Sequence, residues 1–348
     1  ADVTSLLSHA HKESPFDDFF RQRLLSRGLS ELGPGVAWAD INKDGFDDLL
    51  VGSGRGGQMA VLMNEGGKAF KPTSSRRLNP IQSRDQTGIV TWQTESEGLK
   101  IASGASNYED GSVSGTAVTL VSGEGVGGPK NFPANQSSVG PLAASDFDGD
   151  GDVDLFVGGR VIPAQYPVPA DSHIWTNDEG VFKPSPLNDS LFKSVGLVSG
   201  AVWSDLRLDG FPELIIACEW GGIRVFENRQ GELSESTSQW GLDDQVGWWQ
   251  GVNAGDFDGD GRMDLVASNW GLNHAYQSIG ADQLHWYSGR SVPNGPLLLL
   301  EGYVDEAHPT AVPIRGFDVF SATLPGAKDR FRTHSGFAKA TIEAALGN

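Results

Sequence analysis

The stretch AASDFDGDGDVDLFVGG, residues 143–159, places Asp146, Asp148, Asp150, Asp152 and Asp154 on alternate residues and then turns abruptly apolar. Five carboxylates so close together repel one another, and each ionised group makes its neighbours harder to ionise. Such a stretch persists where a cation sits among the acids. Nearly the same pattern returns a hundred residues later, in VNAGDFDGDGRMDLVASNWG (252–271).

Two further segments align with these: VAWADINKDGFDDLLVGSG (36–54) and AVWSDLRLDGFPELIIACEW (201–220). Each carries a short apolar run, an Asp, a Gly five residues on, an acid at the ninth position and a second apolar run. The leading acids are Asp40, Asp146, Asp205 and Asp256, spaced by 106, 59 and 51 residues. The first spacing is twice 53, which predicts a degenerate copy near residue 93. GIVTWQTESEGLKIASG (88–104) fits, with Gln93, Glu95, Glu97 and Gly98 in the places of Asp40, Asn42, Asp44 and Gly45. A sixth remnant is expected around Asp305 in LLLLEGYVDEAH.

A second signal recurs inside the unit. LMNEGGKAFK (62–71), IWTNDEGVFK (174–183) and VFENRQGELS (225–234) each read strand, Asn-x-x-Gly, strand, which is hairpin punctuation. One unit is therefore strand, acidic turn, strand, connection, strand, Asn-Gly turn, strand. Four short strands in about fifty residues is the size of a propeller blade. The expected fold is all-β, a β-propeller of four-stranded antiparallel blades: five clear blades and a sixth remnant, six or seven if closed. Short helices are expected at the ends, around 16–25 and 336–346. The chain divides into an N-terminal segment (1–34), the propeller (35–305) and a partly helical C-terminal extension (306–348).

Counting from the first acid, positions 1, 3, 5 and 9 of the loops supply side-chain oxygens. Position 6 is a Gly that permits a sharp reversal, and position 7 offers its backbone carbonyl. In the first loop these are Asp40, Asn42, Asp44 and Asp48, with Phe46 as carbonyl donor. In the second they are Asp146, Asp148, Asp150 and Asp154, with Asp152 at position 7 and its side chain pointing outward. In the third they are Asp256, Asp258, Asp260 and Asp264, with Arg262 at position 7. Hard oxygens from a flexible loop suit Ca²⁺, and Mg²⁺ suits them less because it demands a tighter octahedron. Zinc is disfavoured by the lack of Cys and His in the loops. About three calcium sites are expected. An EF-hand closes with Glu at position 12 between helices; here the closing acid is at position 9 and the flanks are short, apolar and Gly-rich. The Asp205 loop has Arg207 at position 3. A guanidinium there supplies the positive charge internally, so no calcium is expected at that loop or at Gln93.

These loops resemble the FG-GAP/VCBS repeat family, the calcium-loop propellers typified by the integrin α-subunit head, over roughly residues 35–305. GWWQGVNAGDFDGDGRMDLVASNWGLN (247–273) is similar to large bacterial exported proteins related to cartilage acidic protein, as is DRFRTHSGFAKATIEAAL near the C-terminus. The resemblance implies a propeller, usually of seven blades, with calcium in the turn between the first two strands of a blade. It also implies a protein that presents loops to a protein or glycan partner. ADVTSLL at the start resembles the outer strand that ends a blade.

Composition narrows the function classes. The chain has 348 residues, 38% of them hydrophobic, and a formal net charge of −19; a nucleic-acid partner would need a basic surface. No apolar run reaches transmembrane length, so no membrane insertion is expected. The lone Cys218 forms no intramolecular disulfide. The chain starts at Ala1, so a leader has been removed or the chain is a piece of something longer. The leading expectation is an exported calcium-binding scaffold, extracellular, periplasmic or on the cell surface. Two others stand beside it. One is an enzyme acting on polysaccharide, although none of the seven His residues sits in a recognisable motif. The other is a carbohydrate-binding module using Trp248, Trp249, Trp270 and Trp286, of which at least two are expected to pack in the core.

Overall fold

A computed structural model describes residues 7, 9–73, 78–95, 98–123, 128–280, 282–290, 297–324 and 326–346. The chain forms two compact units. The first comprises residues 1–16, 30–163 and 168–269, and the second residues 17–29, 164–167 and 270–348.

In the first unit the repeats form blades of the expected kind. Blade 1 is Val36–Ala39, Asp48–Val51, Ala60–Asn64 and Phe70–Thr73; blade 2 is Asp85–Thr94, Gly98–Ser106, Thr116–Ser122 and Lys130–Pro133. Blade 3 is Ser138–Ser145, Asp154–Val161, His173–Asp178 and Val181–Pro184. Each is a four-stranded antiparallel meander with its strands in sequence order. Blade 4 is Leu197–Ser204, Glu213–Arg229 and Glu232–Glu235. Its 17-residue middle strand turns at Trp220, whose φ is +57°. The first half pairs with Leu197–Ser204 and the second with Glu232–Glu235, so one segment takes the places of two strands. Blade 5 is the pair Val246–Gly255 and Asp264–Asn269, joined to blade 4 by pairing of Glu219–Gly222 with Val246–Trp248. The fold is all-β, in the pattern of a β-propeller of four-stranded blades.

The first strands of successive blades lie side by side, blade 1 on 2, 2 on 3, 3 on 4 and 4 on 5. The apolar cores lie between blades. Leu50 and Val61 of blade 1 pack with Ile89 and Ile101 of blade 2. Ala102 and Val118 of blade 2 pack with Leu142 and Leu155 of blade 3. Phe156 and Ile174 of blade 3 pack with Val198, Ile216 and Phe226 of blade 4. Ile215 and Val225 of blade 4 pack with Val252 and Leu265 of blade 5. A sheet four strands wide buries its faces only against neighbours, which is why the repeat must be iterated.

The close approach of the first strands depends on glycine. A Cβ on Gly35 would lie 2.8 Å from the backbone of Gly88, one on Gly88 2.6 Å from Gly140 O, and one on Gly200 2.6 Å from Gly251 Cα. Gly35, Gly200 and Gly251 each stand five residues before the first acid of a loop, and Gly88 stands five before Gln93, a regularity the sequence reading passed over.

The degenerate copy at Gln93 is a true blade, but its first two strands are joined by a short turn in which Thr94 pairs with Gly98. Ser96 and Glu97, within that turn, lie outside the described residues. Most of ADVTSLL also lies outside them; Leu7 makes a parallel bridge to Phe70.

The second unit holds a three-stranded antiparallel sheet, Leu284–Arg290, Leu297–Tyr303 and Val312–Pro313. Its helices are short: Asp18–Arg21, Phe317–Thr323, Gly326–Arg330, His334–Phe337 and Ile342–Leu346. The short helices expected around 16–25 and 336–346 are present, each as a single turn or little more. The apolar residues Leu24, Phe337, Ala340 and Ala345 of these segments join Leu300 and Phe320 in one core. Buried Glu301 ties this unit together, accepting from the Tyr276 hydroxyl and twice from Arg315, whose guanidinium also donates to Leu25 O. Asp305 lies between the last two strands, where its carboxylate accepts from the His308 amide at 2.6 Å.

Val is a better strand former than Gly, so local propensity favours Gly200→Val. The contact with Gly251 opposes it. Forcing a side chain into packed backbone costs about 1–3 kcal/mol or more, and the expected outcome is a lower urea midpoint at unchanged m-value. A raised midpoint would refute the packing argument.

Candidate metal centres

The four acidic loops share one hydrogen-bonded frame. The first acid accepts two loop amides. Asp40 takes Asp44 N at 3.0 Å and Gly45 N at 2.8 Å; Asp146 takes Gly149 N at 2.9 Å and Gly151 N at 3.0 Å. Asp205 and Asp256 repeat this with Gly210 N and Gly261 N, both at 2.9 Å. The position-5 carboxylate accepts from the position-7 amide in every loop, at 2.8–3.0 Å. Position 6 needs glycine because its φ is +85° to +97° in all four loops. Position 4 also has positive φ. It is Gly149 and Gly259 in the fully acidic loops but Lys43 and Leu208 in the other two.

The ninth-position acid is buried deepest. Asp48, Asp154 and Glu213 are at most 1% exposed. Asp48 accepts from Ile41 N at 3.0 Å within the loop and from Asn64 N at 2.7 Å on the third strand. Asp154 does the same with Phe147 N at 3.2 Å and Asn177 N at 2.8 Å. Glu213 accepts from Leu206 N at 3.0 Å and is also bonded by the Asn228 amide. These three asparagines are the Asn of the Asn-x-x-Gly signal. Each sends its side-chain amide to the carbonyl just before the acid: Asp47 O, Val153 O and Pro212 O. The two sequence signals are thus two halves of one contact.

The expected ligands converge unequally. Oxygens of Asp146, Asp148 and Asp154 lie within 4.8 Å of one another, and so do those of Asp256, Asp258 and Asp260. Both clusters could hold a metal ion. The first is half to fully buried and the second is exposed. Asp150 and Asp264 stand just outside these groups, engaged with Asp152 N and Phe257 N. In the Asp40 loop, Asn42 turns its amide nitrogen to Asp44 Oδ2 at 2.9 Å, and the three carboxylates are not drawn into one cluster. Asp152 does not point idly outward: its carboxylate accepts from Glu179 N at 2.7 Å, on the neighbouring hairpin.

Burial pushes the Asp154 carboxyl up to about 7, with the charges of Asp148 and Asp150 adding to the effect and the Asn177 and Phe147 amides opposing it. Asp148 is raised by burial and then by Asp150 and Asp146. Three converging carboxylates of which one is costly to ionise are the environment that a divalent cation relieves, so the residues fit such an ion.

The Asp205 loop carries its own cation. Arg207 lies against three acids: Glu213 Oε1 at 3.0 Å, Asp209 Oδ2 at 2.8 Å and Glu227, and it donates to Asn228 O at 2.7 Å. The guanidinium thus brings a positive charge among the acids of its own loop.

A further acidic group joins Glu13, Asp85 and Glu109. Sequence reading missed it because its members come from the N-terminal segment, from the start of the first strand of blade 2 and from the loop after its second strand. Arg55 serves it: the Arg55 amide donates to Asp85 at 2.7 Å and its guanidinium lies 3.5 Å from Glu109. Of the four tryptophans considered for carbohydrate, Trp248 is buried, Trp249 packs on the core between blades 4 and 5, and Trp286 packs edge-on against Tyr276. Arg27 lies over Trp270.

Blades of four antiparallel strands with an acidic turn between the first two define a repeat propeller with loops fit for cations. The chain carries FG-GAP repeats: residues 205–267 match an FG-GAP-like repeat and residues 32–68 an FG-GAP repeat. No curated protein matches its sequence. Among solved structures it is similar to one concerned with specific recognition of non-reducing terminal N-acetylglucosamine by an Agrocybe aegerita lectin. The identity is 15% and the TM-score 0.37, over 80% of this chain and 64% of that one. It is also similar to BBS1N in its complex with ARL6DN, at 11% identity and a TM-score of 0.34, over 67% of this chain and 75% of that one. Likenesses this distant say nothing of what the chain binds.

The raised Asp154 carboxyl predicts an unusual pH response. Its folded value, about 7, lies above its unfolded value near 4, so the folded state holds the extra proton between them. Stability of the chelated protein should therefore fall as pH rises from about 4 to 7. Melting curves in chelator at pH 5 and pH 7.5 test this. Asp154→Asn should make the slope shallower. It should also cost about 1–3 kcal/mol at pH 5, because an amide NH₂ then faces a backbone donor. A chelated protein that is more stable at pH 7.5 than at pH 5 would contradict the assignment.

Proposed function

We propose that the protein is a calcium-binding β-propeller, exported from the cell, that acts without catalysis as a binding or scaffold domain for a protein or glycan partner. The observation that carries the calcium reading is the convergence of Asp146 and Asp148 on the buried Asp154, joined by the convergence of Asp256, Asp258 and Asp260 in the corresponding loop of another blade. All the donors are hard oxygens on flexible Gly-containing loops, which favours Ca²⁺. The residues that would hold the ions are the acids at positions 1, 3, 5 and 9 and the carbonyls of Asp152 and Arg262. The Asp40 loop is a third, weaker site, in which Asn42 must turn its oxygen inward. Bound calcium would neutralise the crowded carboxylates and pin the turn between the first two strands of each blade. Export fits such sites, because weak extracellular modules fill at millimolar calcium.

The scaffold reading follows from the disposition of the chemistry. The buried acids bind backbone amides, and the strongest ion pairs, such as Arg160–Glu219 between blades 3 and 4, tie strands together. These groups hold the fold.

Calcium titration followed by thermal melting tests the proposal. A ligand that binds only the folded state stabilises it by roughly 2.7 kcal/mol at a hundred times its dissociation constant. The melting temperature should fall in chelator and recover with calcium, and the double variant Asp148→Asn/Asp258→Asn should lose most of the response. Superimposable melting curves in chelator and in calcium would overturn the reading. The Asp205 loop gives a gain-of-function check. Arg207→Asp leaves Asp209 and Glu213 without their cation, while Glu227 keeps Arg229, so calorimetry should count one additional calcium ion per chain; unchanged stoichiometry in a folded variant would count against the shared design of the loops.

A further inference from the structure

Blades 2 and 3 enclose a cavity of about 230 Å³ that shares no residue with the acidic loops. Its floor is apolar, made by Phe132 of blade 2 and Val157 of blade 3, both buried. One wall is the indole of Trp175, held edge-on against Phe132 with ring centroids 4.9 Å apart, and only partly buried. At the rim stand Asn135, Asp171, His173 and Asp189.

These rim groups are fixed in place. Asn135 accepts from Ser137 N at 2.7 Å, which leaves its NH₂ to face His173 Nε2 at 2.8 Å. His173 Nε2 is thereby the acceptor, so the ring proton sits on Nδ1, turned to Asp189 Oδ1 at 3.5 Å. Asp171 uses Oδ1 to accept from Ser194 N at 2.6 Å. Among the described residues, Asp171 Oδ2 and Asp189 Oδ2 have no donor. The cavity therefore joins a rigid aromatic face to two carboxylate acceptors with unused capacity, positioned by bonds that a ligand need not break.

We propose that this cavity is a saccharide-binding site that takes one terminal sugar ring. The inference rests on reading the protein as a binding domain and gives that reading a place and a ligand class. A pyranose has an apolar C–H face, which the indole can stack against, and hydroxyl donors, which the two carboxylates can accept. Drug-sized ligand pockets run to roughly 300–1,000 Å³, so a smaller cavity suits a single ring. The carboxylate rim has no Lys or Arg among its lining residues, so phosphate, sulfate and acidic sugars are turned away.

The test is saturation-transfer NMR with methyl glycosides of glucose, galactose, mannose and N-acetylglucosamine, on the full chain in calcium and in chelator at a temperature where both forms are folded. At least one glycoside should bind, with transfer strongest to the protons of its C–H face. Asp189→Asn and Trp175→Phe should each weaken binding about tenfold, with the melting temperature nearly unchanged because Phe keeps the packing on Phe132. Binding of none of the four, or binding that both variants leave intact, overturns the inference. So does retention of a cationic amine such as spermidine with no glycoside bound, which would assign the carboxylates to charge pairing. Calcium uptake is read separately in the same samples. A protein that takes up calcium and no sugar sinks only this inference, and one that binds sugar with no calcium response sinks only the metal reading.

Discussion

The structure depends on a buried carboxylate at the head of the second strand of a blade. Asp48, Asp154 and Glu213 hold the same place, and each ties the acidic loop to the third strand through backbone amides. Burying an ionised carboxylate is costly unless it is paired and hydrogen-bonded. Two amide bonds offset part of that cost, and a positive charge nearby can offset the rest. In blade 4 Arg207 supplies it, with its guanidinium 3.0 Å from Glu213. In blade 3 only carboxylates surround Asp154, and its ionisation is pushed up to about 7. The acid recurs while its surroundings change: Arg207 at position 3 supplies a positive charge beside Glu213, whereas Asp148 at position 3 adds a negative charge beside Asp154.

This constraint also explains what the sequence could and could not disclose. The Asp-x-Asp-x-Asp-Gly run and the Asn-x-x-Gly turn are both local, and both were legible. That they are one contact was not, because the Asn amide meets an acid 15 to 23 positions earlier in the chain. The blade period was legible even at Gln93, where the loop itself is lost, because the apolar alternation of the flanking strands survives. The Glu13–Asp85–Glu109 group left no signal, since its members share no spacing. The short helices at the ends were legible because Phe337, Ala340 and Ala345 have helical spacing; that they fold as separate turns around Phe320 was not. Nor did it find the rim of His173 and Asp189, which a strand and a following four-residue helix bring together from 16 residues apart.

The cores between blades impose a second constraint. Each strand faces a neighbouring blade rather than an interior of its own, so successive first strands must come within backbone contact. Gly35 against Gly88, Gly88 against Gly140 and Gly200 against Gly251 are such approaches. The register shifts between Val198 and Gly200 and between Trp249 and Gly251 fall at the same places. A bulge at a Gly lets the strand bend towards its neighbour without side chains colliding. The Gly-rich composition is therefore divided between two tasks, sharp loop reversals at positive φ and tight strand contacts.

The two carboxylate clusters then differ in what a cation would do. In blade 3 the cluster includes Asp154, which is 1% exposed and bonded to the third strand. Charge neutralised there is felt by a complete four-stranded blade and by the cores on both of its sides, so occupancy and folding are coupled. In blade 5 the cluster is exposed and the blade is a strand pair joined to the edge of blade 4, with Phe257 at 64% and Val266 at 51% exposure. Asp264 still caps Phe257 N at 3.0 Å, but no Asn from a third strand reaches it among the described residues. A cation at that loop would order a hairpin rather than a blade. Identical ligand spacing in the sequence thus gives two sites of different physical weight, and the difference lies in the ninth acid: buried and shared between strands in one, half-exposed and confined to its own loop in the other.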